Sequence, residues 1–336
     1  MRSSGRNSIK ALKVVLSTGA LGAAIIGGLI MSANSAIMND LLEHWNQTDR
    51  EIVASKPKMA RANNLAKPNI VQAFASVAKV KDAFTSAGYE LDAVRWGQVA
   101  VPRVLLASLP YDLPQMRQAQ DRKTVFLRYM LPYVLEANNR VLHQRERMLY
   151  LRAKVERGHR LGEKEAMWFT ALYKEYRAKP GDFEALLLRV DTVPVSLALA
   201  QAAVESGWGT SRFAQEGNAP FGQWTSNAYA GLVPKERKAG MTHKVRSFDS
   251  LKLSAESYLR NLNTHRAYKG LRQMRNAFRK EDKPIDSIAI AGTLLKYSEK
   301  GMEYVNLLRH IIKKNDLIAL DSAKLGEAIL DFRPGA

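Results

Sequence analysis

The chain of 336 residues has no cysteine. Disulfide scaffolds, thiolate zinc sites, cysteine nucleophiles and cysteine-linked lipid are thereby excluded, and cysteine usage cannot report the redox compartment. The six histidines, His243 and His265 among them, show no metal-ligand spacing. No nucleophile elbow, Walker-type loop or dinucleotide fingerprint occurs either, so neither a metal nor an organic cofactor is expected. Acidic residues are scarce, 32 against 51 Lys and Arg, for a formal net charge of +19. Such a charge speaks to partners and not to fold: nucleic acid, anionic lipid and anionic wall polymer would all be drawn in. The cations are spread over every segment without one dense stripe, which argues against a nucleic-acid interface. Internal repeats and low-complexity tracts are lacking. What is present, 46% hydrophobic and 25% charged residues, is ordinary for a globular protein. The length suffices for one large domain or two ordinary ones.

The N-terminus carries Arg2, Arg6, Lys10 and Lys13 and then an uncharged stretch to Asn39, with its apolar heart at Val14 to Met31. A positive region before an apolar run reads as a signal peptide or an uncleaved signal anchor over 1–39. Small residues at Ser32, Ala33, Ser35 and Ala36 offer a cleavage site. In either reading the remainder faces outward, where a basic protein meets anionic membrane surface and wall polymer before nucleic acid.

Residues 40–119 read as a linker and a loosely helical stretch (Asn69 to Ala87, closed by Gly88), followed by a proline-rich extended segment from Val101 to Pro114. Residues 120–182 form a helical lead-in, with apolar residues at helical spacing from Gln120 to Glu156 and a further helix from Gly162 to Ala178. A third domain spans 183–320. It holds an apolar helix from about Pro194, capped by Asp191 and Thr192 and ended by Gly207 and Gly209. Residues 217–247 are loops or a small β-lobe. Helical patterning returns at Ser250 to Leu262, Ile285 to Tyr297 and Tyr304 to Lys314. Residues 321–336 read as a C-terminal tail. The fold class is mostly α, with a small β-lobe or long loop.

Glu205 ends the apolar helix, sharing a face with Ala198, Gln201 and Ala202 by i, i+3, i+4 and i+7 spacing. Apolar surroundings desolvate a carboxylate there, and the negative end of the helix dipole repels it. Both favour the protonated acid, the form that glycoside hydrolysis needs to protonate a leaving oxygen. A Glu emerging into solvent at a helix end is the bland alternative. Trp208, Phe221, Trp224 and Tyr229 follow, with Asn218 and Gln223 between them. Aromatic faces beside amides suit a sugar cleft; Trp208 and Phe221 fit a core better than a cleft, and Trp224, in a polar loop, is the better ligand candidate. A second carboxylate has candidates in Glu236, Asp249, Glu256, Glu299 and Glu303. Glu236 is the first choice because its loop could close over a cleft.

The run from Ala200 to Ser211 (AQAAVESGWGTS) resembles the signature of the bacterial glucosaminidase domain found in flagellar and autolysin-type β-N-acetylglucosaminidases. Asn218 to Gln223 resembles that family's following N-L-F-G-x-K element, departing at Ala219, Pro220 and Gln223. Leu188 to Pro194, Asn261 to Tyr268 and the helix from Arg122 to Asn138 are similar to segments of the bacterial Bax-type proteins. The resemblance covers about 120–315. It implies a lysozyme-like fold and hydrolysis of the β-1,4 bond between N-acetylglucosamine and N-acetylmuramic acid in peptidoglycan. It implies Glu205 as the acid and Tyr297 as a catalytic tyrosine with Tyr304 as its partner. Gln201, Trp208, Asn218, Phe221, Gln223, Trp224 and Tyr304 are the expected substrate contacts. The N-terminal segment, outside that resemblance, is what makes this an expected exported envelope protein of the periplasm, with residues 14–31 as the inner-membrane anchor in the uncleaved reading. A lytic transglycosylase and a non-catalytic wall-binding protein are the alternatives.

Overall fold

The computed structural model describes residues 75–106, 108–225, 231–233 and 244–331. They fall within one unit, Val71–Ala336. The apolar N-terminal segment, Tyr229 and Glu236 lie outside the described residues. No described helix is long and apolar enough to cross a membrane.

Helix α1 (Val77–Ser86) begins where the Ser76 hydroxyl accepts the Lys79 amide, and Gly88 follows it in the left-handed region. Helix α2 (Leu91–Arg95) leads to strand β1 (Val101–Leu105). The proline-rich segment is thus in part a strand, packed against α3 (Ala119–Glu156). Helix α3 tolerates an internal proline, Pro132. Proline lacks the N–H that would bond the carbonyl four residues back, at Arg128. That carbonyl accepts the buried Tyr89 hydroxyl at 2.9 Å instead, so the α1–α2 region is fastened to the helix at its weak point. Helices α4 (Glu163–Glu175) and α5 (Phe183–Arg189) complete the lead-in.

Helix α6 (Val195–Ser206) is the hub. Ten of its residues are buried, and it packs on α3, α10 (Ser287–Ala291) and α11 (Met302–Lys314). An apolar helix with no polar face must be surrounded. The expected caps do not act as caps. Pro194 is the N-cap and has no side-chain bond. The first-turn amide of Ser196 is instead taken by Asp321 at 2.7 Å, and the Ser196 hydroxyl donates to the same carboxylate at 2.7 Å. Asp191 is buried and pairs with Arg279 at 3.0 Å, Arg275 at 3.5 Å and Arg145 at 3.9 Å. Burial would raise its pKa, but Arg275, Arg145 and Arg279 hold it below the usual carboxylate range.

Helix α7 (Arg212–Gly217) and the antiparallel pair β2 (Trp224–Thr225) and β3 (Lys244–Val245) follow; the β-lobe is a minimal one among the described residues. Helix α8 (Leu251–Thr264) matches the expectation within two residues, but α9 (Lys269–Lys280) was not read from the sequence. Leu271, Met274 and Phe278 give it an apolar stripe at helical spacing, and Arg272 and Arg275 are buried beside it. The helix expected from Ile285 to Tyr297 is only α10, after which turns carry the chain to Tyr297. The C-terminal tail is also corrected. Leu325–Asp331 form strand β4, parallel to β1 in a two-stranded sheet with Val101 opposite Leu325. Asp321 and β4 therefore belong to the folded body.

Candidate active site

Glu205 lies in the last turn of α6, whose end is built as a sharp reversal. Gly207 caps it in the left-handed region (φ 57°). The Trp208 amide bonds the Ala203 carbonyl at 2.8 Å. The Ser206 hydroxyl accepts the Gly209 amide at 2.8 Å while donating to Ala202. Trp208 itself has a φ of 59°, an uncommon conformation for a bulky residue and a mark of constraint. Its ring is half-buried, edge-on to Phe126, with the Lys123 ammonium 5.1 Å from the ring centroid.

The Glu205 carboxyl is covered from the following loop. A Cβ placed on Gly222 would lie 2.8 Å from Glu205 Oε2, so a larger residue there must displace the carboxyl. The φ of 61° favours glycine as well. Burial pushes the Glu205 pKa up, opposed only by a hydrogen bond from the Tyr304 hydroxyl. Tyr258, Tyr268, Tyr297 and Tyr304 all lie within electrostatic reach of Glu205. Among the described residues, no cation and no second carboxylate contributes to its shift. The arrangement is a desolvated acid walled by phenols that are themselves kept neutral by burial.

The tyrosine wall is internally locked. Tyr297 and Tyr304 stack with centroids 5.6 Å apart and planes 2° apart. The Tyr297 hydroxyl donates to the Phe221 carbonyl at 2.9 Å, so its proton is committed to backbone. Phe221 is fully buried and stacks on Tyr258 at 4.1 Å. Gln201 is fully buried too, its amide spent on Tyr258 and Tyr304. Phe221 and Gln201 were expected against substrate; the packing assigns both to the support behind Glu205. Tyr304 is buried and touches Glu205 rather than the surface.

The other expected contacts differ in exposure. Trp224 is 61% exposed on β2. Asn218 is buried as the left-handed cap of α7, donating to the Phe248 carbonyl at 3.1 Å. The side-chain carbonyl oxygens of Asn218 and Gln223 are buried without a hydrogen-bond partner among the described residues. Of the alternative carboxylates, Glu256 pairs with Arg140 at 2.8 Å, while Asp249, Glu299 and Glu303 are exposed. Sequence reasoning missed Tyr258 and Gly222. A tyrosine at helical spacing carries no sign that its hydroxyl faces a site; Gly222 had one, its place inside the matched element after Asn218.

The α-rich domain carries a half-buried, desolvated acid at the end of its central helix, and the family match makes it a glycosidase-type enzyme. Residues 182–317 match the glucosaminidase family model, described as mannosyl-glycoprotein endo-beta-N-acetylglucosaminidase. Over 215 residues the chain is 33% identical to Protein bax of Escherichia coli (strain K12), covering 62% of this chain and 75% of that protein. The chain belongs to the Bax-type glucosaminidase-domain family. No solved structure matches it.

Proposed function

We propose that this protein hydrolyses peptidoglycan, cutting the β-1,4 bond after N-acetylglucosamine with Glu205 as general acid, on a lysozyme-like fold. The observation that carries the reading is the environment of Glu205: desolvated at the C-terminal end of α6, closed over by Gly222 and touched by Tyr304. Held protonated, Glu205 gives its proton to the glycosidic oxygen as the bond to the anomeric carbon breaks. Water supplies the hydroxyl at that carbon, and its remaining proton returns to Glu205 through solvent. Once Glu205 is a carboxylate, the Tyr304 hydroxyl stabilises it. Trp224, exposed beside the loop that covers the acid, is the favoured ring for stacking on a sugar face. The net charge of +19 would hold the enzyme near anionic wall polymer or membrane surface. The cationic and apolar start of the chain supports export to the periplasm, with residues 14–31 as the anchor.

The test is digestion of purified sacculi by the full-length protein beside Glu205→Gln, with mass analysis of the released fragments. Reducing N-acetylglucosamine ends from the parent and none from the variant are expected. Anhydro-muramic ends would replace the hydrolase with a transglycosylase. Equal binding of sacculi by two folded proteins, with no cutting by either, would leave a wall-binding module.

A further inference from the structure

The turn that covers Glu205 is fastened from several sides. The buried Phe221 ring stacks on Tyr258 of α8, with centroids 4.1 Å and planes 11° apart. The Gln223 carbonyl accepts the Arg246 amide at 2.8 Å, beside the β2–β3 pair. The Phe221 carbonyl accepts the Tyr297 hydroxyl at 2.9 Å, from a residue 76 positions further along the chain. Tyr297 lies in the turns between α10 and α11, so this bond joins the covering turn to the C-terminal helices. Its direction is fixed by the partners: a backbone carbonyl only accepts, and a phenol has one proton to give. The Tyr297 ring is itself held, between Tyr304 at 5.6 Å and Tyr268 at 5.7 Å. The Phe221 carbonyl and the Gly222 Cα belong to one planar peptide unit. That unit therefore meets Tyr297 through its oxygen, while Gly222 lies against the Glu205 carboxyl, 2.8 Å from its Cβ position to Oε2.

Building on the general-acid reading of Glu205, we propose that Tyr297 is a positioning residue: its hydroxyl holds the Phe221–Gly222 peptide unit down on the Glu205 carboxyl and so keeps water from the acid. The family resemblance makes Tyr297 a catalytic tyrosine, but its proton is already given to backbone. Without the hydroxyl, the Phe221 carbonyl loses its partner and must find another, because an unpaired carbonyl away from water is costly. Tyr297 is only half-buried, so water can take that place. A water there loosens the turn at the point where it covers Glu205 and relieves the desolvation that keeps the acid protonated. The carboxyl then also loses the wall that fixes its position.

The experiment compares the full-length protein with Tyr297→Phe, which removes the hydroxyl and keeps the stacked ring. The Glu205 carboxyl carbon is titrated by NMR in protein carrying 13C-labelled glutamate, its signal being the one lost in Glu205→Gln. Tyr258, Tyr268 and Tyr304, the phenols that face Glu205 from the other packed elements, are unchanged in the variant. The Glu205 midpoint is expected to fall toward the ordinary carboxylate value by about half a pH unit as water reaches it. A hydroxyl that bonded Glu205 directly would raise the midpoint when removed, so the sign separates the two roles. The 15N signal of the Gly222 amide, part of the same peptide unit, should move as well. In cleavage of sacculi, kcat should fall about tenfold with KM within about twofold of the parent. Replacing Tyr297 by para-aminophenylalanine keeps a donor that is no acid at neutral pH, and should restore both midpoint and rate. It serves alone if Tyr297→Phe does not give a cooperative melt. The proposal is overturned if the midpoint rises or is unmoved in Tyr297→Phe, or if the aniline restores the midpoint and not the rate. A lowered midpoint with no glycan cut by the parent keeps the tie to the turn and removes the hydrolase reading. Cleavage that depends on Glu205 with an unmoved midpoint does the reverse.

Discussion

Gly222 and Gly88 share a φ of 61°, but a Cβ on Gly222 would meet Glu205 Oε2 at 2.8 Å while one on Gly88 would meet nothing within 4 Å. The pair separates backbone strain from contact with the acid. An alanine in the left-handed region costs about 1–2 kcal/mol, or roughly 2–8 °C of melting temperature in a domain of this size. Gly88→Ala and Gly222→Ala should both show that loss. Only Gly222→Ala must also push the carboxyl oxygen away, by ~0.5 Å to reach ordinary contact. A misplacement of that order costs roughly tenfold in a well-aligned proton transfer, given about a hundredfold for a full ångström. Cleavage of sacculi, followed by release of reducing ends, should therefore fall at least about tenfold in Gly222→Ala and stay within about twofold of the parent in Gly88→Ala. Equal rates in the two variants at equal stability would refute the view that Gly222 sets the position of Glu205.

Glu205 also predicts a pH dependence of stability. Its folded pKa lies above the ordinary value of 4.5, so the native state binds the proton more tightly, and stability falls as pH rises from 4.5 through the folded midpoint. Glu205→Gln should remove that loss. Its melting temperature should rise relative to the parent between acid and neutral pH; parallel melting curves across that range would count against a desolvated acid. Asp191→Asn strips the fully buried Arg275 of its carboxylate. Breaking such a pair should cost about 3–5 kcal/mol, and a thermal melt within about 2 °C of the parent would show that the carbonyls of Leu188, Asp191 and Thr192 suffice for that guanidinium.

Much of the architecture was written in local pattern. The apolar spacing from Gln120 to Glu156 and the largely apolar run of α6 each dictate a helix through the chain's own geometry, and the glycines after Ser206 dictate where α6 ends. The position of Glu205 at the end of that run already implied desolvation. What the sequence could not carry were partnerships between distant residues. The cap of α6 comes from Asp321, and the charge on Arg275 is accommodated by Asp191, so α9 turns arginines inward against the rule that marks charge as surface. Strand β4 exists only because β1 offers it an edge. At the site, Gln201 and Phe221 were chosen for residue type, an amide and an aromatic ring near an acid. Only the packing shows both buried, Gln201 bonded to Tyr258 and Tyr304 and Phe221 stacked on Tyr258. Spacing along a helix determines which side chains share a face; which of them meets substrate depends on what the rest of the chain lays against that face.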